Sequence, residues 1–306
     1  MSFFLFLAAA ALTPGMRDAI DRIAGVKGVY TESEDVHRVS FPRNDVNVTV
    51  DGASLHPFMG LTSWAAFKGM PYTDTSSIPP RLATGVMVMG DLVLFEDEVN
   101  PAMSEALESG LEVTALHNHF FHDNPRVFFM HIGGMGETDR FASAVRRTLD
   151  KVKEIRAANP APRRAFPGPA PAAVNSIEAT AIDAILGVKG QSNAGMYKAT
   201  LGRKAKMHGY VVSTQMGVNT WAAFSGSPDA AFVDGDFAMR PLEFQPVLQT
   251  LRARGIDIVA IHNHMTGEEP HYVFLHYWGK GKAIDLAKAL KAALDEQARY
   301  FSVTNQ

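Results

Sequence analysis

Alternation of apolar and polar positions is the first regularity along this chain. Residues 36–41 and 47–50 alternate as half-buried strands do, and residues 210–214 do so again further on. The apolar run 86–95 straddles Gly90-Asp91, a dipeptide common in turns, and predicts a hairpin there. Pro101 suits a first helical turn and Gly110 a helix end; Pro246 and Gly255 bracket a second helix in the same way. Strands are predicted over 112–119 and 256–264, and again over 126–132 and 272–278. A closing helix over 138–155 carries Phe141, Val145, Leu149 and Val152 on one stripe, and Leu286, Leu290 and Leu294 form the matching stripe later in the chain.

The elements come twice because the sequence does. Trp64-Ala65-Ala66-Phe67-x-Gly69 recurs as Trp221-Ala222-Ala223-Phe224-x-Gly226. From Gly90-Asp91, matched by Gly235-Asp236, the copies run at one constant offset: Glu98 with Glu243, Pro101 with Pro246, Gly110 with Gly255, Pro125 with Pro270. Ile20-Asp21 and Gly25-x-Lys27-Gly28 find partners in Ile182-Asp183 and Gly187-x-Lys189-Gly190. Self-similarity at a fixed offset over most of the chain means one module written twice. The expected fold is therefore α+β: two tandem copies of a β-rich module, each with an antiparallel or mixed sheet and flanking helices, over 15–156 and 175–306. A Pro/Ala-rich linker is expected at 157–174.

Composition narrows the function. With 46% hydrophobic and 20% charged residues in 306, the chain is of ordinary globular type. A net charge of −3 gives no reason to expect nucleic acid as a partner. The basic residues between Arg146 and Arg164 interleave with acidic ones and read as a solvated helix face. Without cysteine, disulfides and thiolate chemistry are excluded, and any metal must be held by nitrogen and oxygen. Residues 2–12 form an apolar run ending in small side chains, too short to span a bilayer. It predicts a signal peptide over 1–14 and a periplasmic or secreted protein, although no Lys or Arg precedes it; read instead as a buried first helix, it leaves the protein cytoplasmic.

The histidines carry the candidate chemistry. His117-Asn118-His119 is matched by His262-Asn263-His264, and His131 by His276. On a strand, residues two apart share a face, so His117 and His119 project together, and a neighbouring strand brings His131 within reach. Three imidazoles with an open position are the usual form of a catalytic zinc centre, and copper, iron and nickel are also suited. Glu98 and Glu243, just before the helix that leads into the histidine strand, are candidate proton acceptors or further ligands. Asp91 and Asp236 read as turn residues, and Trp64 and Trp221 as core. His122, Asp123, Glu268, Glu269 and His271 decorate the loops between the ligand strands.

The combination of Trp-Ala-Ala-Phe-x-Gly, Gly-Asp, Glu-x-x-Pro and His-Asn-His resembles the LppY/LpqO-like family of bacterial proteins, which includes mycobacterial lipoproteins. That resemblance implies export; the acylated Cys of a lipoprotein is absent. Glu98 with His117-x-His119 also resembles the start of the metal centre in JAMM-type isopeptidases, without the matching Ser. His262-x-His264 with Glu268 resembles a cupin motif, which the first copy lacks. His-Asn-His is not the signature of an HNH nuclease, whose named residues lie far apart.

The sequence thus predicts an exported, duplicated metal-binding protein, acting as a metal-dependent hydrolase on an unidentified small-molecule or cell-envelope substrate. Its ions would be held by His117, His119 and His131 and by His262, His264 and His276. The alternatives are a non-catalytic metal carrier or sensor, and an envelope-binding module with structural histidines.

Overall fold

The computed structural model describes residues 11–303, and the chain divides into two compact units, Met1–Arg164 and Ala165–Gln306. In the first, the order is α1 (Pro14–Ala24), β1 (Val29–Thr31), β2 (Val36–Pro42), β3 (Val48–Val50), β4 (Ala53–Leu55), β5 (Thr62–Asp74), β6 (Arg81–Phe95), α2 (Glu96–Glu108), β7 (Glu112–His117), β8 (Asp123–Asn124), β9 (Val127–Gly136) and α3 (Thr138–Ala158). The second contains α4 (Ala179–Leu186), β10 (Gln191–Asn193), β11 (Met196–Gly202), β12 (Ala205–Met207), β13 (Tyr210–Val212), β14 (Asn219–Gly226), β15 (Ala231–Met239), α5 (Pro241–Ala253), β16 (Asp257–His262), β17 (Val273–Gly281) and α6 (Ala283–Val303). Each unit is a mixed α+β module on an antiparallel sheet. The strand order is β1-β2-β5-β6-β9-β7 in one and β10-β11-β14-β15-β17-β16 in the other.

Period-two alternation sorts the side chains of each sheet. In β6, Val86, Val88, Leu92 and Leu94 are buried on the face that α2 and α3 cover, where Phe141 of α3 packs so closely over Gly134 that no Cβ would fit. The opposite face is covered at one end only. There Val48 and Leu61 join Val93, Phe95, Val127 and Phe129 in a smaller core. The second unit repeats it with Ala205, Val212, Val218, Ala238, Tyr272 and Phe274. The rest of this face is more open, and it holds the tryptophans. Trp64 and Trp221 are half-buried beneath Arg38 and Lys198, each cation 4.1 Å from the ring centre, rather than in the core as expected.

Several sequence expectations are corrected. No hairpin forms at 86–95: β6 runs straight through Gly90-Asp91, paired with β5 and β9. Gly90 is there for close approach, since a Cβ would lie 2.7 Å from the Trp64 carbonyl oxygen and 2.9 Å from the Ile132 side chain. The helices before the histidine strands begin earlier than their prolines suggest. Glu98 at the third helical position accepts from the Phe95 N–H at 2.9 Å, as Glu243 does from the Arg240 N–H at 3.0 Å, which fixes both starts and leaves Pro101 and Pro246 inside the helices.

The predicted linker is fastened to both neighbours. Ala157 and Ala158 finish α3, and the Arg163 N–H reaches Asp97. Further on, Phe166 stacks on Trp278, and Ala172 and Ser176 bond to the β14–β15 turn. Most of the predicted signal peptide lies outside the described residues. Leu12 is buried with its N–H on Asp35, and Thr13 caps α1. Among the described residues, no helix is long and apolar enough to cross a membrane.

Candidate functional site

Three adjacent strands set one row in each unit. Asp91 on β6 stands opposite His131 on β9, which stands opposite Ala115 on β7. In the second unit the row is Asp236, His276 and Ala260. The pairing shifts by a bulge just before that alanine in both units, between Val113 and Ala115 and between Ile258 and Ala260. Such a shift re-aims the side chains that follow. The strands end at His117 and His262, so His119 and His264 lie beyond them rather than on them. Each is nevertheless held in place by an apolar platform: His119 stacks on Phe129 at 3.3 Å, and His264 on Phe274 at 3.6 Å, rings nearly parallel. The histidine cluster therefore sits at the rim of the smaller core.

In the first unit, Nε2 of His119 lies 3.2 Å from Nε2 of His117. Two nitrogens about 2.05 Å from one tetrahedral ion lie about 3.3 Å apart, so this is the spacing of two ligands to one metal. His131 stacks on His117 at 5.1 Å. Asp91 is buried, and its Oδ1 has no hydrogen-bond partner. Burial lowers the pKa of His117 and His119, aided by their histidine neighbours, and so favours the neutral imidazoles that bind metal.

The second unit is arranged more tightly. Asp236, His262 and His264 each place a ligand atom within 4.8 Å of the others. His264 puts Nε2 3.0 Å from Oδ2 of Asp236 and Nδ1 3.1 Å from the Gly217 carbonyl. Both ring nitrogens thus face acceptors. A neutral imidazole has one N–H, so a proton or a cation must lie on the second contact. Oδ1 of Asp236 and Nδ1 of His262 are buried without partners. Orphaned polar atoms of this kind cost about 1–3 kcal/mol each and call for an explanation such as an ion. Burial, with His276 and His264 nearby, pushes the His262 imidazole down to about 4, and burial raises the Asp236 carboxyl. His276 stacks on His262 at 4.8 Å with Nδ1 3.1 Å from the Gly235 carbonyl, outside the three-donor group.

Glu98 and Glu243 are elsewhere. Glu98 is fully buried between Arg43, at 2.8 and 2.9 Å, and Arg156, at 2.7 Å. Glu243, equally buried, accepts from Arg203 at 2.9 and 3.0 Å, Arg240 at 2.6 Å and Gln297 at 2.9 Å. Their charge answers guanidinium groups rather than histidines. The loop residues are structural anchors too: Asp123 accepts the Val127 N–H and Glu268 the Tyr272 N–H. Sequence reasoning missed Asp91 and Asp236 as members of the site. Their signal was a carboxylate directly after Gly inside a strand-forming run, retained at the same offset as the histidines.

The fold and site define a duplicated α+β protein with a histidine- and aspartate-lined cluster in each copy. The chain belongs to the family described as Domain of Unknown Function (DUF1259), whose model matches residues 18–151 and again 180–296. That finding confirms the tandem repeat and corrects the expected membership of the LppY/LpqO-like family, for which no match is found. No functionally curated protein matches the chain. Among solved structures, a trimeric bacterial microcompartment shell protein, PduB, is 12% identical, with 91% of this chain and 93% of that one covered. EtuB from Clostridium kluyveri is also 12% identical, over 78% and 90%. Both have a TM-score of 0.21, at which the likeness carries no argument.

Proposed function

We propose that this chain is a divalent-metal-binding protein with one site per unit, held by Asp236, His262 and His264 in the second and by Asp91, His117 and His119 in the first. The observation that carries this reading is the environment of His264, whose two nitrogens both face acceptors while Oδ1 of Asp236 beside it has no partner. A cation between imidazole and carboxylate resolves both. Two donors about 2.1 Å from a tetrahedral ion lie about 3.4 Å apart, so three ligand atoms that already lie within 4.8 Å of one another need close by about 1.4 Å at most. Donation of Nδ1–H to a backbone carbonyl is the usual partner of a metal-binding Nε2, which also supports the reading. Two imidazoles and one carboxylate suit zinc and equally iron(II).

A bound ion of this kind supplies Lewis acidity and an activated water, and hydrolysis is the catalytic form of the proposal. The proton acceptors expected for it, Glu98 and Glu243, are committed to arginines, and this favours the second form, a metal carrier or sensor. Export, read from residues 2–12, belongs to the same proposal.

The test is elemental mass spectrometry of the purified, tag-free protein beside an Asp236→Ala/His262→Ala/His264→Ala variant. Near-stoichiometric metal that falls by one equivalent in the variant supports the reading. Wild-type protein that takes up no metal after reconstitution overturns it.

A further inference from the structure

The buried ion pair of Arg203 and Glu243 has no role in holding a metal directly, yet it leads by covalent and hydrogen-bonded steps to His264. Glu243, in the first turn of α5, fixes the Arg203 guanidinium at 2.9 and 3.0 Å. Through its backbone N–H, Arg203 donates to the Val218 carbonyl at 2.8 Å. Val218 is fully buried in the smaller core, and its own N–H returns to Ser213. The residue before it, Gly217, adopts φ +83° at the end of the short helical turn Thr214–Met216 and presents its carbonyl to Nδ1 of His264. Tyr272 braces the same stretch, its hydroxyl donating to the Lys204 carbonyl at 3.1 Å.

We propose that Glu243 and Arg203 are positioning residues for the metal site of the second unit: they hold the 213–218 turn so that the Gly217 carbonyl accepts Nδ1–H of His264 and leaves Nε2 as the ligand. This rests on the metal-binding reading for its consequence, and on hydrogen-bond geometry alone for its first step. A merely structural ion pair would stabilise the fold without selecting a tautomer. Partners that orient a ligand imidazole in this manner change metal affinity by about 10- to 100-fold when lost.

The first unit repeats the steps of this connection from the carboxylate to the turn. Arg43, clamped by Glu98, donates its backbone N–H to the Leu61 carbonyl at 2.9 Å, and Gly60 precedes Leu61 with φ +114°. The retention of these steps in both copies argues that the ion pair holds the turn.

The experiment compares Glu243→Gln, Arg203→Met and Arg203→Lys in the full chain, with folding checked by circular dichroism. The tautomer of His264 is read in the metal-free protein by nitrogen-15 NMR of labelled histidine, and zinc affinity by competition with a chelator. Arg203→Lys keeps the charge pair and should keep the Nδ1–H tautomer. Folded Arg203→Met and Glu243→Gln should lose it and bind zinc at least about 10-fold more weakly. If Glu243→Gln does not fold, the contrast between the two Arg203 variants decides. Folded variants that retain both tautomer and affinity overturn the proposal. Wild-type protein that shows the tautomer but binds no zinc would sink the metal reading while leaving the positioning step intact.

Discussion

In the first unit the paired histidines face each other, Nε2 to Nε2 at 3.2 Å, and Asp91 stands apart with one oxygen unpartnered; in the second, His264 turns to Asp236 at 3.0 Å and to the Gly217 carbonyl. The strands, the bulge, the aromatic platform and the row of Asp, His and Ala are the same. What differs lies in the loops over the site. The first unit offers Phe58 and Phe121 there, both exposed, where the second has Gln215 and Thr266. Its β5–β6 arm is also longer, with strands of 13 and 15 residues against 8 and 9 for β14 and β15. A duplicated scaffold can therefore hold one set of donors in two states of readiness. The second unit has three donors gathered before any ion arrives, and the first has two.

The sharpest way to break this comparison is to remove ligands one unit at a time. Asp236→Ala with His262→Ala should weaken the tighter of two zinc-binding events by at least about 100-fold in a calorimetric titration, more than the loss of an outer-shell partner. His117→Ala with His119→Ala should abolish the weaker event and leave the tighter one. The reverse assignment would invert the ranking of the two sites.

Stability gives the next largest effect, and here the units should behave alike. Glu98→Gln removes the carboxylate that the buried Arg43 and Arg156 guanidinium groups share, leaving them Asp45 and Asp97, and removing one partner of a buried pair costs at most about 3–5 kcal/mol. Urea unfolding should show that loss, and Glu243→Gln should show one of similar size. A change under about 1 kcal/mol in either would mean that the clamps are not equivalent.

The smallest effect probes a single loop position. His122 and Gly267 occupy matching places in the loops after the histidine pairs, with φ +61° and +83°. A side chain costs about 1–2 kcal/mol in this left-handed region. Gly267→Ala should lower the urea midpoint of the second unit accordingly, whereas His122→Gly should shift the first by less and upward, since histidine tolerates this region better than most residues.

Much of this was legible in the sequence, for reasons that also explain what was not. The repeat and the spacing of His117, His119 and His131 could be read because side-chain periodicity and a constant offset survive divergence. Asp91 was misread because Gly-Asp is chemically a turn dipeptide; only the pairing of β5, β6 and β9 reveals that Gly90 makes room for the Trp64 carbonyl and that Asp91 stands opposite His131. Glu98 was legible as important and not as to its purpose, because its partners Arg43 and Arg156 are distant in sequence. The position of His119 past the strand end could not be read either, since it depends on stacking against Phe129.

The central claim is that the ion of the second unit lies among Asp236, His262 and His264. Anomalous diffraction at the zinc edge, from crystals of zinc-loaded protein, tests it most directly. The account predicts a peak within bonding distance of one oxygen of Asp236 and one nitrogen each of His262 and His264, with His276 outside that distance. A peak centred on His276, or none at these residues in fully loaded protein, would contradict it.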